Sequence, residues 1–196
     1  MDSLKYWDKR YSSGGNSGNG SYGDLLQFKA KIINDRIKKW NIKTIQDFGC
    51  GDGSLFDQLY LNAIEYTGYD VSDFLISNLK NTENDLIHFK NYNEYNAKKS
   101  DLVLSIDVIF HLVEDNVYRK YIEDIQAATG KYLIVYSSNR SDLGEFGNHI
   151  KHREYTKDIQ MDFEEFIPNA YPYSVLGEKG SFCDFCIFKK CNSYLS

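Results

Sequence analysis

The sequence predicts an α/β fold in which a mostly parallel, doubly wound sheet carries helices on both faces. A short apolar strand, TIQDF, ends in a glycine turn, and a second strand, YTGYD, follows at about the distance that one helix would occupy. Two later runs, DLVLSI and KYLIVYSS, have the apolar continuity of parallel strands that are covered on both sides. We therefore expect a single domain over residues 1–196, with the sheet and its helices in residues 24–196.

The composition indicates which kinds of partner molecule are expected. With 23 basic and 28 acidic residues the net charge is 23 − 28 = −5, and no long basic run is present, so nucleic acid is a poor partner. The first residues contain no apolar signal region, and no apolar stretch reaches the length of a membrane span. We expect a cytoplasmic monomer or homodimer that acts on a small molecule and contacts neither nucleic acid nor membrane.

The glycine turn after the first strand predicts a ligand site. Glycines at 49, 51 and 53 let the backbone approach a ligand without Cβ interference, and Cys50 between them is small. Ser54 is expected to open a helix over SLFDQLYLNA, which would aim amide donors at the same crevice. The second strand ends at Asp70, whose carboxylate could accept both hydroxyls of a ribose. A dinucleotide site would need G-x-G-x-x-G, which this spacing does not provide.

Asp47-x-Gly49-x-Gly51-x-Gly53 resembles the first motif of class I S-adenosylmethionine (AdoMet) dependent methyltransferases. YTGYDVS is similar to that family's second-strand acid, and SDLVLSIDVIFHL is similar to its fourth strand and the following turn. The resemblance implies a Rossmann-like sheet of seven strands, the last of them antiparallel. The N-terminal YW-x-x-RY and GGNSGNGSYG, with the later HIKHR and IPNAYPY, resemble a bacterial subset of which some members are encoded among surface-polysaccharide genes.

This resemblance implies AdoMet as the cofactor and S-adenosylhomocysteine as the product. In the family, residues just after the third strand contact adenine. The corresponding residues here are Asn91 and Tyr92, although the family's usual acid is absent. Tyrosine faces can also hold a sulfonium. The expected cofactor residues are Asp47, Gly49, Cys50, Gly51, Gly53, Asp70, Val71, Asn91, Tyr92, Ile106, Tyr11 and Tyr22.

Residues 1–23 combine a small cluster of aromatic side chains, Tyr6, Trp7 and Tyr11, with a run of glycine, serine and asparagine. We interpret the segment as a lid that Tyr6, Trp7 and Tyr11 anchor over the cofactor; the alternative is a disordered tail. The next residues, 24 to about 40, have the periodicity of an amphipathic helix with Asp24 as the N-cap. Lys29 and Arg36 fall on its solvated side, although Lys29 lies near the lid and could reach an anion.

The remaining elements follow in order. Ser72 or Asp73 caps a short helix, LIHFK forms the third strand, and Glu114 or Asp115 begins a helix that stops at Gly130. The C-terminal part reads as two strands around a turn-rich connection, which resembles the family's terminal hairpin. Cys183, Cys186 and Cys191 suggest a metal knuckle, but residues three apart on a strand face opposite ways, so we expect no metal site.

Polar residues after the fourth and fifth strands indicate an acceptor site. Asp107 could hold a donor group, and His111 could take a proton or simply pack at a helix start. The loop after the fifth strand, with histidines and cations, could bind an anion or be a solvated turn. The expected catalytic residues are Asp107, His111 and His149. The expected substrate-binding residues are Lys151, His152, Arg153 and Tyr136.

We therefore expect methyl transfer to an oxygen of a small, anionic or phosphorylated metabolite, such as a sugar or surface-glycan precursor. The absence of an N-P-P-[FY] tetrapeptide after the fourth strand favours oxygen over nitrogen. A non-catalytic AdoMet-binding scaffold and a nicotinamide-dependent oxidoreductase are the alternatives.

Overall fold

The computed structural model describes residues 2–143 and 148–190, and it contains one sheet of seven strands. The strand order is β3-β2-β1-β4-β5-β7-β6, and β7 runs antiparallel to both of its neighbours. The α/β fold class, the seven strands and the antiparallel last strand are thereby confirmed. The strands are β1 Thr44–Phe48, β2 Glu65–Asp70, β3 Ile87–Asn91, β4 Ser100–Ile106, β5 Thr129–Ser137, β6 Asp162–Ile167 and β7 Asp184–Lys189.

Five α-helices accompany the sheet within the described residues: α1 Ser3–Ser12, α2 Gly23–Lys39, α3 Asp73–Leu79, α4 Asp115–Ala128 and α5 Tyr173–Leu176. Ser72 caps α3 as expected, since its side chain accepts a hydrogen bond from the amide of Leu75. The expected cap of α2 is wrong by two residues, because the N-cap is Tyr22 and Asp24 lies inside the first turn. Over the same described stretches, no helix is both long and apolar enough to cross a membrane.

The helix expected to begin at Ser54 is absent, and the chain instead makes turns and a single 3-10 turn over Phe56–Gln58. Asn34 on α2 explains the difference. Its side chain accepts from the amide of Tyr60 and donates to the carbonyl of Gln58, both at 2.8 Å. These contacts take backbone groups away from a helical ladder, and a helix of this length is marginal without tertiary support.

Two hydrophobic cores lie on opposite faces of the sheet, which is what a doubly wound architecture requires. One core contains Ile33 and Ile37 of α2. The other contains Tyr121 and Ile125 of α4. The sheet is thus buried from both sides, and the carboxyl ends of its parallel strands are left as the edge where ligands can enter.

Cys183 directly precedes β7 and Cys186 lies within it, and the two belong to different cores. Cys183 lies in the α2-side core and Cys186 in the α4-side core, so the two thiols do not converge. Within the described part of the chain no group of three or more metal-ligating side chains occurs. Cys191, the third cysteine of the candidate knuckle, lies outside the described residues.

Strand β6 forms the edge of the sheet and contains a bulge. Phe163 pairs with Phe188 and Phe166 pairs with Cys186, while Glu164 is the extra residue between them. Because residues 186 and 188 of β7 share a face, the bulge places both β6 phenylalanines on one face of the sheet. Their side chains are 56% and 52% exposed.

Candidate active site

A cavity lies at the carboxyl ends of β1, β2 and β4, beneath α1 and the glycine-rich segment after it. Its wall is formed largely by the turns that follow those three strands. Residues from these turns are Gly49, Cys50, Gly51, Asp52, Asp70, Val71, Ile106, Asp107, Val108 and His111. The predicted glycine turn, the second-strand acid and the residues after the fourth strand are therefore brought together at one site.

The glycine turn is required by both backbone conformation and space. Gly49 has φ +87°, and a Cβ there would lie 2.3 Å from the side chain of Val108. Gly51 has φ +56°, and a Cβ there would lie 2.9 Å from Ser17 Oγ. Any side chain at either position would push against the wall of the cavity or against the covering segment.

Asp70 is buried at the end of β2 and is held by two backbone amides. Its carboxylate accepts from Gly51 N and from Ser72 N, each at 3.0 Å. Burial raises the pKa of Asp70 to about 6, and these amides limit the rise. A carboxylate offers about four acceptor positions, so capacity for a ligand's hydroxyls is left.

Asp47 is also buried and lines the same cavity. One carboxylate oxygen accepts from Tyr66 Oη at 2.9 Å. The other, Oδ1, has no hydrogen-bond partner among the residues that the structure describes. Burial raises the pKa of Asp47 to about 7. A buried polar atom without a partner indicates that a ligand donor is expected there.

Most of the other expected cofactor residues also line the cavity, namely Val71, Tyr92, Ile106, Tyr11 and Cys50. Three do not. Asn91 donates to Val71 O and to Asp73, and Gly53 packs beneath Leu79. Tyr22 donates to Asp52. These three support the turns that carry the lining residues.

Helix α1 closes the cavity from above, and Ser3, Leu4, Trp7 and Tyr11 contribute to its wall. Three of the expected anchors, Tyr6, Trp7 and Tyr11, lie on this helix, an element that the sequence analysis did not predict. Three polar contacts tie the segment down. Ser3 binds Glu114, Ser72 Oγ donates to Asp8 at 2.9 Å, and Tyr11 Oη lies 3.1 Å from Ser17 Oγ.

Lys29 is buried, which corrects its expected place on the solvated face of α2. Its side chain is 2% exposed and lines the cavity. The ammonium group donates to the Asp107 carboxylate and, at 2.8 Å, to the carbonyl of Gly20. Arg36 is likewise not free, since it makes a bidentate contact with Glu165 on β6.

Asp107 directly follows β4 and has a positive φ of 60°. Its carboxylate lines the cavity while Lys29 holds one of its oxygens. Left-handed backbone in a residue other than glycine is costly and is concentrated at functional sites. The ion pair with Lys29 and the backbone hydrogen bond from Asp107 N to Tyr136 O, at 2.9 Å, fix this conformation.

His111 lines the cavity from the 3-10 turn Ile109–His111. Its Nδ1 lies 3.1 Å from the backbone carbonyl of His149. Because a carbonyl can only accept, we assign the proton to Nδ1, which leaves the lone pair of the neutral ring on Nε2. Burial lowers the pKa of His111 to about 4. The imidazole is therefore uncharged at physiological pH.

His149 does not line the cavity. Its ring stacks on that of His111 at 5.7 Å and on that of Tyr6 at 5.1 Å. The structure therefore places His149 behind His111, as a wall against solvent, and its expected catalytic role needs correction. What His149 contributes to the site is its main-chain carbonyl.

The expected anion-binding loop is also not brought to the cavity. Lys151 and Arg153 both bind Asp115 at the start of α4, at 2.6 and 2.8 Å. Arg153 donates further to Leu112 O at 2.7 Å. His152 Nδ1 lies 2.6 Å from Ser138 Oγ. Lys151 and Arg153 thus join the loop to α4, whereas His152 contacts the residue after β5. None of the three lines the cavity, so their role as substrate ligands stays a prediction.

Tyr136, the fourth expected substrate residue, is buried and does not line the cavity. Its ring lies 5.4 Å from the ammonium of Lys29. The tyrosine therefore supports Lys29 from below.

The cavity wall is rich in carboxylates. Asp47, Asp52, Asp70 and Asp107 all contribute to it, whereas Lys29 is the one lysine or arginine among the described lining residues. Since Lys29 is paired with Asp107, the wall favours ligands with positive charge or hydrogen-bond donors and repels anions.

Residues 46–133 match the family of methyltransferase domains. None of the curated protein sequences matches this chain. Among solved structures, the chain is similar to the N-methyltransferase NodS from Bradyrhizobium japonicum in complex with S-adenosylhomocysteine, with a TM-score of 0.72 and 15% identity over 97% of this chain and 99% of that one. It is also similar to magnesium protoporphyrin IX methyltransferase from Synechocystis with bound AdoMet, with a TM-score of 0.68 and 13% identity over 97% and 98%.

A third similar structure is an AdoMet-dependent methyltransferase from Clostridium acetobutylicum, with a TM-score of 0.60 and 14% identity over 82% of this chain and 90% of that one. At these identities the likeness shows the shared fold. The match to methyltransferase domains over residues 46–133 agrees with this likeness in fold.

Proposed function

We propose that this protein transfers the methyl group of AdoMet to a hydroxyl oxygen of a small molecule. The observation that carries the proposal is the position of His111, a neutral imidazole with its lone pair on Nε2, in the same cavity as the glycine turn and Asp70. A hydroxyl must lose its proton as it is methylated, and a neutral imidazole can accept that proton.

The residues of the cavity fit AdoMet. Asp70 ends β2 beside the glycine turn and would accept the ribose hydroxyls, while Asp47 Oδ1 would accept from the ammonium of the methionine part. Gly49 and Gly51 allow the backbone to approach the cofactor closely. When bound, AdoMet supplies a methyl group that its sulfonium already activates.

The protein's own contribution is alignment, exclusion of water and acceptance of a proton. Helix α1 places Trp7 across the top of the cavity, with its ring 4.6 Å from that of His111. A covered site holds the acceptor in line with the methyl group and keeps water from competing. These roles need no covalent intermediate.

The finer features of the acceptor remain proposals. A sugar or surface-glycan precursor is supported by the resemblance of the N-terminal and late motifs alone. The anionic character expected from the loop after β5 has no support, because Lys151 and Arg153 are bound to Asp115. We therefore propose a small oxygen acceptor and do not require a phosphate on it.

One experiment separates this function from its alternatives. Thermal unfolding with AdoMet, S-adenosylhomocysteine or NAD identifies the cofactor, and mass spectrometry of metabolite mixtures incubated with AdoMet detects an added methyl group. Stabilisation by AdoMet together with a methylated product supports the enzyme. Stabilisation without any product would favour a non-catalytic scaffold, and stabilisation by NAD alone would favour an oxidoreductase.

We expect Asp70→Ala to weaken AdoMet binding by about 1 to 3 kcal/mol, the usual cost of leaving ligand hydroxyls without their charged acceptor. Calorimetry measures the change. Asp73→Ala is the matched control, because this carboxylate lies three residues away and outside the cavity lining. Equal affinities of wild type and Asp70→Ala would remove Asp70 from the ribose site.

AdoMet affinity is expected to fall as the pH is lowered through about 6. Asp70 has a pKa raised to about 6, and its protonated form loses the charge that strengthens hydrogen bonds from a ribose. Titrations at several pH values between 7.5 and 5 measure this dependence. Asp70→Asn should flatten it; a dependence that persists in this variant belongs to Asp47, and a constant wild-type affinity contradicts the assignment.

The glycine-rich segment after α1 is expected to become more protected when cofactor binds. Its glycines make a fixed conformation entropically costly unless contacts compensate, and Ser17 lies directly over Gly51. Hydrogen exchange over residues 12–23 should slow on addition of S-adenosylhomocysteine, while α4 serves as an internal reference. Equally fast exchange with and without ligand would favour the disordered-tail interpretation.

A further inference from the structure

From the hydrogen-bonding groups at the end of β4, we infer that the acceptor is an uncharged compound with two neighbouring hydroxyls, one donating to His111 and the other to Asp107. This inference rests on the proposed function and specifies its substrate class. Asp107 and His111 lie at the two ends of one short turn and both line the cavity.

His111 can serve the acceptor only by accepting a hydrogen bond. Its Nδ1 proton is used by the carbonyl of His149 at 3.1 Å, and the pKa near 4 keeps the ring neutral. Nε2 therefore offers a lone pair and no proton. A ligand group at this nitrogen must bring a donor, and a hydroxyl does so where a phosphate or carboxylate oxygen does not.

Asp107, a few residues earlier in the chain, likewise requires a hydrogen-bond donor on the ligand. Its carboxylate has acceptor positions alone, and Lys29 holds one of its two oxygens. The side chain is 18% exposed and lines the cavity, so part of it faces the space that a ligand would fill. Lys29 acts here as a positioning residue, because it fixes a carboxylate that stands on a left-handed backbone conformation.

Two acceptors on one turn select a ligand with two adjacent donors, and a vicinal diol supplies them. An anionic substituent near this turn would face Asp52, Asp47 and Asp70 around the rest of the wall. Like charges that face each other in a site disfavour binding. The cation that could offset them, Lys29, is already paired with Asp107.

In the transfer, the bond between the acceptor oxygen and the methyl carbon forms as the bond from that carbon to the AdoMet sulfur breaks. The sulfur keeps the electron pair, and the hydroxyl proton passes to Nε2 of His111. The neighbouring hydroxyl stays hydrogen-bonded to Asp107 and is not changed.

Binding and turnover of matched sugars test the inference. Neutral methyl pyranosides and their 6-phosphates are titrated into the protein loaded with S-adenosylhomocysteine, and the same compounds are assayed for methylation with AdoMet. We expect at least one neutral pyranoside to bind and be methylated, and its phosphate to bind at least about tenfold more weakly. Equal or tighter binding of the phosphates, or no binding of any neutral pyranoside, would overturn the inference.

The double variant Lys29→Met, Asp107→Asn tests whether this ion pair selects the acceptor, and it leaves neither charge buried without its partner. It should narrow the preference for neutral over phosphorylated sugar, since an amide oxygen accepts a hydrogen bond from the second hydroxyl less strongly than a carboxylate does. The matched control is Lys131→Met, Asp101→Asn, which removes an ion pair near the opposite end of β4. An unchanged preference in the first double variant would show that Asp107 does not select the acceptor.

The proposed function and this inference fail in distinguishable ways. A protein that binds neither AdoMet nor S-adenosylhomocysteine contradicts the function itself. A protein that binds both, methylates a natural metabolite and prefers an anionic acceptor contradicts the inference alone.

Discussion

His111→Ala is expected to lower kcat by about 10² to 10⁴-fold for a hydroxyl acceptor, the usual contribution of a positioned general base. The reason is structural: the hydrogen bond from Nδ1 to His149 O leaves the lone pair on Nε2, and His111 lines the cavity. Steady-state kinetics with both substrates varied measures the loss. Binding of AdoMet should change little by comparison, because the base acts on the acceptor.

His149→Ala is the control for this prediction. Its contact with His111 Nδ1 is made by a main-chain carbonyl, which alanine retains. The variant removes a stacked ring and keeps the tautomer of His111, so kcat should stay within a few-fold of wild type. A loss as large as that of His111→Ala would show that the second imidazole takes part in proton transfer, and full activity of His111→Ala would exclude a base at this position.

Lys29→Met is expected to lower the free energy of unfolding by about 3 kcal/mol, at the lower end of the 3 to 5 kcal/mol typical of breaking a buried pair. Methionine keeps most of the volume but leaves the Asp107 carboxylate without its cation and frees the carbonyl of Gly20. Chemical denaturation monitored by tryptophan fluorescence measures the change. We expect the loss of stability to lie at the lower end of this range because the Asp107 side chain is partly exposed to solvent.

Lys31→Met provides the matched comparison on the same helix. Lys31 pairs with Asp35 at the surface, where both side chains are more than half exposed. Exposed pairs of this kind contribute about 0 to 1 kcal/mol. The double variant Lys29→Met, Asp107→Asn should recover much of the lost stability, since no unpaired charge remains. Equal effects of Lys29→Met and Lys31→Met would mean that the Lys29 ion pair contributes nothing beyond a surface contact.

The sheet and the cofactor side of the cavity could be predicted because short-range signals define them. Positive φ angles at Gly49, Gly51 and Gly53 demand glycine, and apolar continuity marks the central strands. Asp70 follows from its position at the end of β2, where the topology brings it beside the turn. Each of these signals lies within a few residues of the feature that it predicts.

The acceptor side depends on long-range contacts, which a sequence pattern does not report. Lys29 occurs in an amphipathic helix like any solvated lysine, and its partner Asp107 lies 78 residues away. The loop sequence predicts that Arg153 is free to bind an anion, but in the fold Arg153 is paired with Asp115 of α4. The prediction of a helix after Ser54 is wrong for the same reason, since the side chain of Asn34 on α2 forms hydrogen bonds with backbone groups of that stretch.

The bulge in β6 has a consequence for the behaviour of concentrated solutions. Phe163 and Phe166 stand together on a strand that pairs on one side only, and an exposed strand edge with apolar side chains is a template for self-association. Asp162 and Glu164 supply negative charge that keeps two such edges apart. Strong salt screens this repulsion, so precipitation at high ionic strength should begin at β6. A lysine in place of Phe166 would be the first substitution to try for keeping the protein dispersed.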